Sequence, residues 1–256
     1  MPSLSSYVPR ESLVHGLHPV TKLVYVACIL ALAVVYSTPA PLVVLLLATC
    51  CVLLAARVLR PAVRIMSRTV LLIALFLFVV RGLAEPGGNV AFALGPLAFK
   101  QAGLDVAMLI SLRLFIFVAA ALTLLLTTYP PYLMAALEEK KLSPRASYVV
   151  LSTMQIIPMM QARATAILEA QQARGLDTRG SLLTRVRALF ALVGPLVLGS
   201  IEGVEARAMA IEARAFLVHH RRTHLYAVAT SSVDRVLMVA LPVLTFAFAT
   251  LRFLVR

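Results

Sequence analysis

Charged side chains are scarce in this sequence of 256 residues, of which they make up 14%. A typical soluble domain is about 25% charged and roughly 45–50% apolar. Here hydrophobic residues account for 61%, and the mean hydropathy is +0.93. Such a chain cannot fold around one water-soluble core, because too few polar side chains remain to cover its surface. The composition excludes a typical soluble enzyme and a disordered tail, and it predicts an integral membrane protein.

Cysteines and acidic residues are also few. The three cysteines, Cys28, Cys50 and Cys51, all lie in apolar runs, which excludes a disulfide-stapled secreted domain and indicates packing residues. The sequence has 11 acidic residues and 24 lysines and arginines, so its formal net charge is +13. The chain has no G-x-x-x-x-G-K-[ST] motif for binding ATP. It also has no Ser/His/Asp or Cys/His arrangement suited to nucleophilic catalysis. We therefore expect a chain that is not an enzyme.

Five apolar runs are candidates for membrane spans, since a helix of about 20 apolar residues crosses roughly 30 Å of hydrocarbon. They are Leu23–Tyr36, Ala40–Ala56, Thr69–Val80, Leu104–Thr128 and Val236–Leu251. Snorkelling of Lys22 would extend the first run, whereas the short third run must draw on residues 82–84. The first run is not a signal peptide, because about 20 polar or mixed residues precede it and no cleavage site follows.

Positive charge in the short loops predicts the orientation. The loop between the second and third runs carries four arginines and no acid, namely Arg57, Arg60, Arg64 and Arg68. This places that loop, and with it the N-terminus, in the cytoplasm. The loop at 82–103 then faces outward, and its Gly/Pro breaks and alternating segment predict a small hairpin on the outer surface.

The segment between the fourth and fifth spans is long and predominantly helical. It contains 12 of the 24 basic residues and seven of the 11 acids. We expect a short helix from Pro130, a second from Pro144 to Arg174 with a kink at Pro158, and a third from Ser181 to Phe216 with an interruption at Gly194–Pro195. The predicted architecture is all-α: a membrane domain over 1–128, a cytoplasmic helical domain over 129–232 and a last span over 233–256.

These cytoplasmic helices carry apolar residues at helical spacing. The two sets are Ile156, Met160, Ala164 and Ile167, and Val204, Ala208, Ile211 and Ala215. One interpretation is that the apolar faces pack on one another and on the inner ends of the spans. The other is that part of this surface docks another protein.

The ends of the two long helices repeat one pattern. The second ends Ala170-Gln-Gln-Ala173-Arg174-Gly175-Leu176 and the third ends Ala210-Ile-Glu-Ala213-Arg214-Ala215-Phe216, 40 residues apart. Small residues beside the arginine would let a helix tip enter a groove, where the guanidinium reaches carboxylates or carbonyls. The alternative is a cation stabilised at a helix C-terminus by the macrodipole.

Other polar residues have two interpretations each. Arg113, inside the fourth span, is expected to face protein and to pair with a carbonyl or an acid, either for packing or for a substrate. A histidine cluster beside two arginines is either a basic segment at the membrane interface or a metal site, and the adjacent cations disfavour a metal. Its residues are His219, His220, Arg221, Arg222 and His224.

The order of several motifs resembles the transmembrane T component (EcfT/CbiQ-like) of energy-coupling factor (ECF) transporters, the vitamin and metal importers of the ABC superfamily. The resemblance covers essentially the whole chain. The motifs are Leu17-His-Pro19-Val-Thr21-Lys22-Leu23, Gly103-Leu104, Leu112-Arg113-Leu114, Thr127-Thr128-x-Pro130, Leu142-x-Pro144, Ile157-Pro158, Ala173-Arg174-Gly175 and Glu212-Ala213-Arg214.

The resemblance implies a multi-pass subunit of the cell membrane that couples transport to ATP. Two cytoplasmic ABC ATPase subunits would bind ATP and Mg²⁺, so this chain itself would bind no cofactor or metal. A separate substrate-binding membrane protein, the S component, would carry a vitamin or a transition-metal ion. The implied partners are thus these subunits and the lipid bilayer, with no nucleic acid, and the N-terminus and coupling domain would be cytoplasmic.

The same resemblance implies that two helix tips insert into grooves of the ATPases. Ala173, Arg174 and Gly175 would form the first tip, and Ala213 and Arg214 the second. This sequence has Ala215 where the family has glycine. A helical backbone would tolerate the added methyl, whereas a positive φ would make it costly.

Three alternatives remain open at this point. A secondary transporter would show paired halves with matching interrupted helices, and the long polar insertion falls in one half only. A membrane-embedded enzyme would carry convergent His, Asp or Glu at the ends of its spans. A subunit dedicated to a cobalt or nickel permease would share the features described above.

Overall fold

The computed structural model describes residues 10, 12–84, 90–94, 97–177, 180–216 and 230–254. The protein is an all-α membrane protein whose described strands form one short hairpin. Its elements in chain order are α1 (Pro19–Val35), α2 (Pro39–Ala55), α3 (Leu59–Ala84), β1 (Val90–Leu94), β2 (Leu97–Lys100), α4 (Gln101–Thr127), α5 (Pro130–Glu139), α6 (Pro144–Ala173), α7 (Leu182–Ala213) and α8 (Ser232–Leu254).

Prolines and capping side chains set where the helices begin. Proline lies in the first turn of α1, α2, α5 and α6, where its missing N–H removes no helical hydrogen bond. His18 precedes α1 and accepts a hydrogen bond at Nδ1 from the backbone N–H of Val20, 3.2 Å away. Ser143 caps α6 in the same way through the N–H of Ala146, at 3.3 Å.

The third span is longer than the sequence indicated. α3 has 26 residues and begins at Leu59, ten residues before the predicted start. The expected loop is therefore wrong for Arg60, Arg64 and Arg68, which lie on the first turns of α3 with exposed side chains. Arginine is a good helix former. On α3 the buried residues Ala62, Met66 and Val70 recur every four residues and form a stripe beside the stripe of arginines.

In the part of the chain that the structure describes, four helices are long and apolar enough to cross a membrane. They are Leu59–Leu83, Gln101–Thr127, Leu183–Ala213 and Ser232–Arg252. α1 and α2 are apolar but have 17 residues each, which is the lower limit for a span. By length and composition α7 thus qualifies together with the predicted spans, although the sequence analysis assigned it to the cytoplasmic segment.

The two long helices run through their internal prolines. Pro158 lies inside α6, and Pro195 lies inside α7. The predicted interruption at Gly194–Pro195 is therefore wrong, because α7 continues from Leu182 to Ala213. An internal proline removes one backbone hydrogen bond and disturbs the helix, but the turns on either side keep their own bonds.

The described chain divides into two compact units. α6 and α7 form one, which we call the α6–α7 unit. The larger unit contains α1 to α5, the hairpin and α8. The predicted hairpin is confirmed, since β1 and β2 pair antiparallel with Leu94 opposite Leu97.

Two apolar clusters form the core of the larger unit. One joins α2, α3 and α4 around Leu53, Val70 and Leu126. The other joins α1, α2 and α4 and includes Ile29, Leu42 and Ile116 as well as small residues. At Gly103, α4 approaches α3 so closely that a Cβ atom there would lie 2.2 Å from the carbonyl oxygen of Arg81. Only glycine fits this contact, which explains a glycine beside Leu104.

Candidate functional site: two matching helix ends

The C-terminal end of α6 is a tight left-handed turn. Arg174 has φ −88° and ψ 10°, and Gly175 follows with φ +90°. The N–H of Leu176 donates to the carbonyl of Gln171 at 3.0 Å, and the N–H of Gly175 donates to the carbonyl of Gln172 at 2.9 Å. These two bonds define a Schellman motif, which satisfies carbonyls that the helix end would leave unpaired.

The end of α7 has the same geometry. Arg214 has φ −86° and ψ 7°, and Ala215 has φ +51°. The N–H of Phe216 donates to the carbonyl of Ile211 at 3.2 Å, and that of Ala215 to Glu212 at 2.9 Å. The repeated sequence pattern is therefore a repeated backbone turn.

This geometry decides whether the backbone at Ala215 is helical or has a positive φ. The position has a positive φ, so the methyl group stands in the left-handed region that costs a non-glycine residue about 1–2 kcal/mol. Space is not the constraint at the first tip, because a Cβ atom at Gly175 would meet nothing within 4 Å. The two tips share a shape, and the second one carries backbone strain that the first avoids.

All six residues of the two tips are exposed to solvent. They are Ala173, Arg174, Gly175, Ala213, Arg214 and Ala215. Within the described residues, neither guanidinium makes a hydrogen bond or an ion pair. Both arginines are favourably placed at the negative end of a helix dipole, and their planar donor groups stay free for carboxylates or carbonyls of another chain.

The two tips lie at opposite ends of the α6–α7 unit, because the helices run antiparallel. Arg163 donates from Nη1 to the carbonyl of Gly199 at 2.7 Å. Further back on α6, the ring of Tyr148 lies 5.2 Å from that of Phe216. The tip of α7 is thus beside the start of α6, and Arg174 lies 26 residues after Tyr148. At 1.5 Å per residue the tips are about 39 Å apart along α6.

The apolar stripes of the two helices differ in burial. The α6 set, Ile156, Met160, Ala164 and Ile167, is half-buried, and Met160 accepts a hydrogen bond at Sδ from Ser200 of α7, at 3.3 Å. On α7, however, Val204 is 62% exposed and Ile201 is 52% exposed. Packing between the helices therefore accounts for part of the apolar surface, and an exposed apolar face remains on α7.

Two charged side chains of the predicted spans, Arg113 and Lys22, donate hydrogen bonds to backbone carbonyls. Arg113 donates from Nη2 to the carbonyl of Tyr36 at 2.8 Å, which is one of the two kinds of partner expected. Lys22 is only 4% exposed, so it does not snorkel. Its Nζ donates to the carbonyls of Thr127, at 2.9 Å, and His15, at 3.3 Å. Lys22 thus satisfies the C-terminal end of α4.

A buried aspartate that was not among the predicted site residues joins α1 to α8. Asp234 is 1% exposed, and its carboxylate accepts hydrogen bonds from the N–H of His18 (2.9 Å), the hydroxyl of Thr21 (3.1 Å) and the N–H of Ser231 (3.0 Å). The available signal was the pattern Ser231-x-x-Asp234 at the start of α8, which is a capping box. The contact with α1 has no local sequence signal.

His18 lies in the same cluster, directly before α1. Burial lowers its pKa from the usual value, and the charge of Asp234 opposes that shift. The Nε2 atom of His18 is buried and has no hydrogen-bond partner among the described residues. The histidine is therefore held neutral, with Nδ1 capping α1.

The histidine cluster at His219, His220 and His224 lies outside the described residues. Among the described residues, no three His, Cys, Asp or Glu side chains are grouped to hold a metal ion. The choice between a basic segment and a metal site at 219–224 therefore stays a prediction.

Comparison with known proteins gives a match along most of the chain. The protein-family model CbiQ, described as cobalt transport protein, matches residues 10–225. The energy-coupling factor transporter transmembrane protein EcfT of Heliobacterium modesticaldum is 31% identical over 250 residues, covering 93% of this chain and 92% of the relative. The EcfT protein of Limosilactobacillus fermentum is 27% identical over 272 residues, covering 97% of each chain.

A third relative is organised differently. A Bifidobacterium longum protein named as an ABC transporter ATP-binding protein is 29% identical over 254 residues. The match covers 93% of this chain but only 32% of that protein. A region similar to this whole chain thus occurs there within a chain about three times as long.

Proposed function

This chain belongs to the CbiQ family of cobalt transport proteins and is an EcfT-like, non-catalytic transmembrane component, and we propose that it couples two cytoplasmic ATPase subunits to a separate substrate-binding membrane protein. The ATPases bind ATP and Mg²⁺, and the S component carries a vitamin or a transition-metal ion. The N-terminus and the α6–α7 unit lie on the cytoplasmic side of the cell membrane.

The observation that carries this proposal is the pair of matching tips. Two helix ends share a Schellman turn, an exposed arginine and small flanking residues, so the chain presents the same backbone shape twice. Two equivalent grooves, one on each ATPase, fit such a duplicated shape. A separation of about 39 Å leaves room for two different protein partners.

The comparison with the Bifidobacterium longum protein supports the same partners. In that relative, a region similar to this chain is part of a longer polypeptide whose name describes ATP binding. Physical fusion of two regions keeps their effective concentration high, which favours regions that act together. The present chain would obtain the same partner as a separate subunit.

Coupling then follows from the rigidity of the long helices. When ATP binding closes the ATPase pair, each groove moves the tip that it holds, at Arg174 or Arg214. The antiparallel helices transmit the movement along their length, and the exposed apolar face of α7 is the surface on which the S component reorients. The favourable interaction at each tip is a charge-assisted hydrogen bond from the guanidinium to a groove carboxylate or carbonyl.

The experiment compares wild type with Arg174→Ala, Arg214→Ala and the double variant, each coexpressed with candidate ATPases and an S component. We expect each single variant to assemble less or to hydrolyse ATP without substrate uptake, and the double variant to lose uptake. Arg64→Ala is the matched control, since Arg64 is an exposed arginine on α3, outside the α6–α7 unit.

Two results would overturn the proposal. One is normal uptake in the double variant, and the other is that no ATPase copurifies with the wild-type chain. Loss of uptake in Arg64→Ala to the same degree would show that general basic charge, and not the two turns, determines coupling.

A further inference from the structure

Two arginines from different helices converge on Tyr36 at the end of α1. Arg113 of α4 donates to the Tyr36 carbonyl at 2.8 Å. The Cζ atom of Arg252 of α8 lies 5.4 Å from the centroid of the Tyr36 ring. The Tyr36 hydroxyl donates to the carbonyl of Phe248, also on α8, at 3.3 Å. One residue thus contacts two guanidinium groups, one through its backbone carbonyl and one through its ring.

These guanidinium groups are incompletely satisfied. Nε of Arg113 and Nη1 of Arg252 are buried and have no hydrogen-bond partner among the described residues. No described acidic side chain forms an ion pair with either arginine. Two positive charges and two buried donors without acceptors are costly inside a membrane protein, and a bound anion would satisfy both.

An apolar groove between α1 and α8 leads to this pair of arginines. It has a volume of about 350 Å³. Its lining residues are Ala27, Cys28, Ala31, Leu32 and Val35 of α1 and Pro242, Thr245, Phe246 and Ala249 of α8. Val35 directly precedes Tyr36, and Ala249 lies three residues before Arg252, so one end of the groove adjoins the cationic pair.

The position along α1 matches a membrane boundary. α1 has 17 residues, which corresponds to about 25 Å of helix, and Tyr36 follows its last residue. The pair of arginines therefore lies nearly one hydrocarbon thickness from the start of α1. With the start of α1 at one membrane surface, this distance places the arginines near the opposite surface, where lipid headgroups and acyl chains meet.

We propose that Arg113, Arg252 and the α1–α8 groove bind one anionic phospholipid. The two guanidinium groups donate hydrogen bonds to the phosphodiester, as arginine does to phosphate elsewhere, and one acyl chain fills the groove. An amphiphile accounts for both halves of the site. A free phosphate ion would leave the groove unused, and an acidic side chain of a partner would not need it.

The test is native mass spectrometry of the delipidated full-length chain in detergent, titrated with dioleoylphosphatidylglycerol. We expect one tightly bound lipid per chain in the wild type. Arg252→Gln should weaken that binding about fivefold, the effect of one basic residue at a membrane surface. Ala31→Phe fills the groove without changing charge and should also weaken it. Arg64→Gln, which changes an exposed arginine on α3, should bind as the wild type does.

Competing ligands separate the possible occupants. Dioleoylphosphatidylcholine should bind more weakly than phosphatidylglycerol, and millimolar inorganic phosphate should not displace the lipid. Equal binding of both lipids, displacement by phosphate, or unchanged binding in both Arg252→Gln and Ala31→Phe would each overturn the proposal. Failure of the isolated wild-type chain to bind phosphatidylglycerol would also overturn it and would favour an acidic group of a partner subunit.

Discussion

In the larger unit, two charged side chains that join helices are buried and hydrogen-bonded, whereas in the α6–α7 unit two arginines stand at exposed helix ends. Lys22 and Asp234 are 4% and 1% exposed, and each has several partners in the chain. Arg174 and Arg214 are exposed and have none among the described residues. Substitution in the larger unit should therefore change stability, and substitution at the tips should change assembly with partners.

The largest expected effect is that of Asp234→Ala. The variant leaves three donors around a buried site without their acceptor, from His18, Thr21 and Ser231. Each buried donor left without an acceptor costs about 1–3 kcal/mol. We expect a large drop in the melting temperature of the purified chain in detergent, because α8 loses its attachment to the start of α1.

Asp105→Ala provides the matched control for Asp234. Asp105 is an exposed aspartate on α4, and exposed substitutions usually change stability by no more than about 0.5 kcal/mol. If the two variants melted at the same temperature, the Asp234 cluster would not be what holds α1 and α8 together.

A smaller effect is expected at the two tips, with opposite sign at each. Ala215→Gly removes a methyl group from a residue with φ +51°, and Gly175→Ala adds one at φ +90°. We expect Ala215→Gly to stabilise the end of α7 and Gly175→Ala to destabilise the end of α6, each by about 1 kcal/mol. Hydrogen exchange of the N–H groups of Phe216 and Leu176, which close the two turns, measures both.

This pair of variants also sharpens the comparison of the tips. If the left-handed turn itself is what a partner binds, Ala215→Gly should couple at least as well as the wild type. Unchanged exchange in both variants would mean that the two turns do not hold their positive φ values in solution. Slower exchange in Gly175→Ala would contradict the strain argument directly.

Local signals in the sequence predicted several of these features. The prolines that begin α5 and α6 and the Ala-Arg ends of α6 and α7 occupy the expected places. The hairpin before α4 was also predicted by its Gly/Pro breaks. Such features depend on a few adjacent residues, whose backbone preferences act without the rest of the fold.

Features that depend on distant residues were missed. Asp234 accepts a hydrogen bond from His18, 216 residues away in the sequence, and no sequence periodicity indicates such a contact.

The early start of α3 was missed for a local reason. Arg60, Arg64 and Arg68 interrupt the apolar run, although the helix carries them on one exposed face. Charge interrupts a hydropathy pattern but does not interrupt a helix.

The smallest expected effect is a pH dependence that belongs to the larger unit alone. Burial lowers the pKa of His18, while Asp234 and Glu139 raise it and Lys140 lowers it further. The folded chain thus holds His18 neutral at pH values where the unfolded chain takes up a proton, below about 6.5. The contribution of neutral His18 to the free energy of unfolding is complete above pH 6.5 and is lost as the pH falls toward the lowered pKa.

The variant that tests this pH dependence is His18→Asn, which keeps an N-cap acceptor for Val20 but cannot titrate. Between pH 7.5 and 5.5 the melting temperature should fall further for the wild type than for His18→Asn. Parallel curves would show that folding leaves the pKa of His18 unchanged.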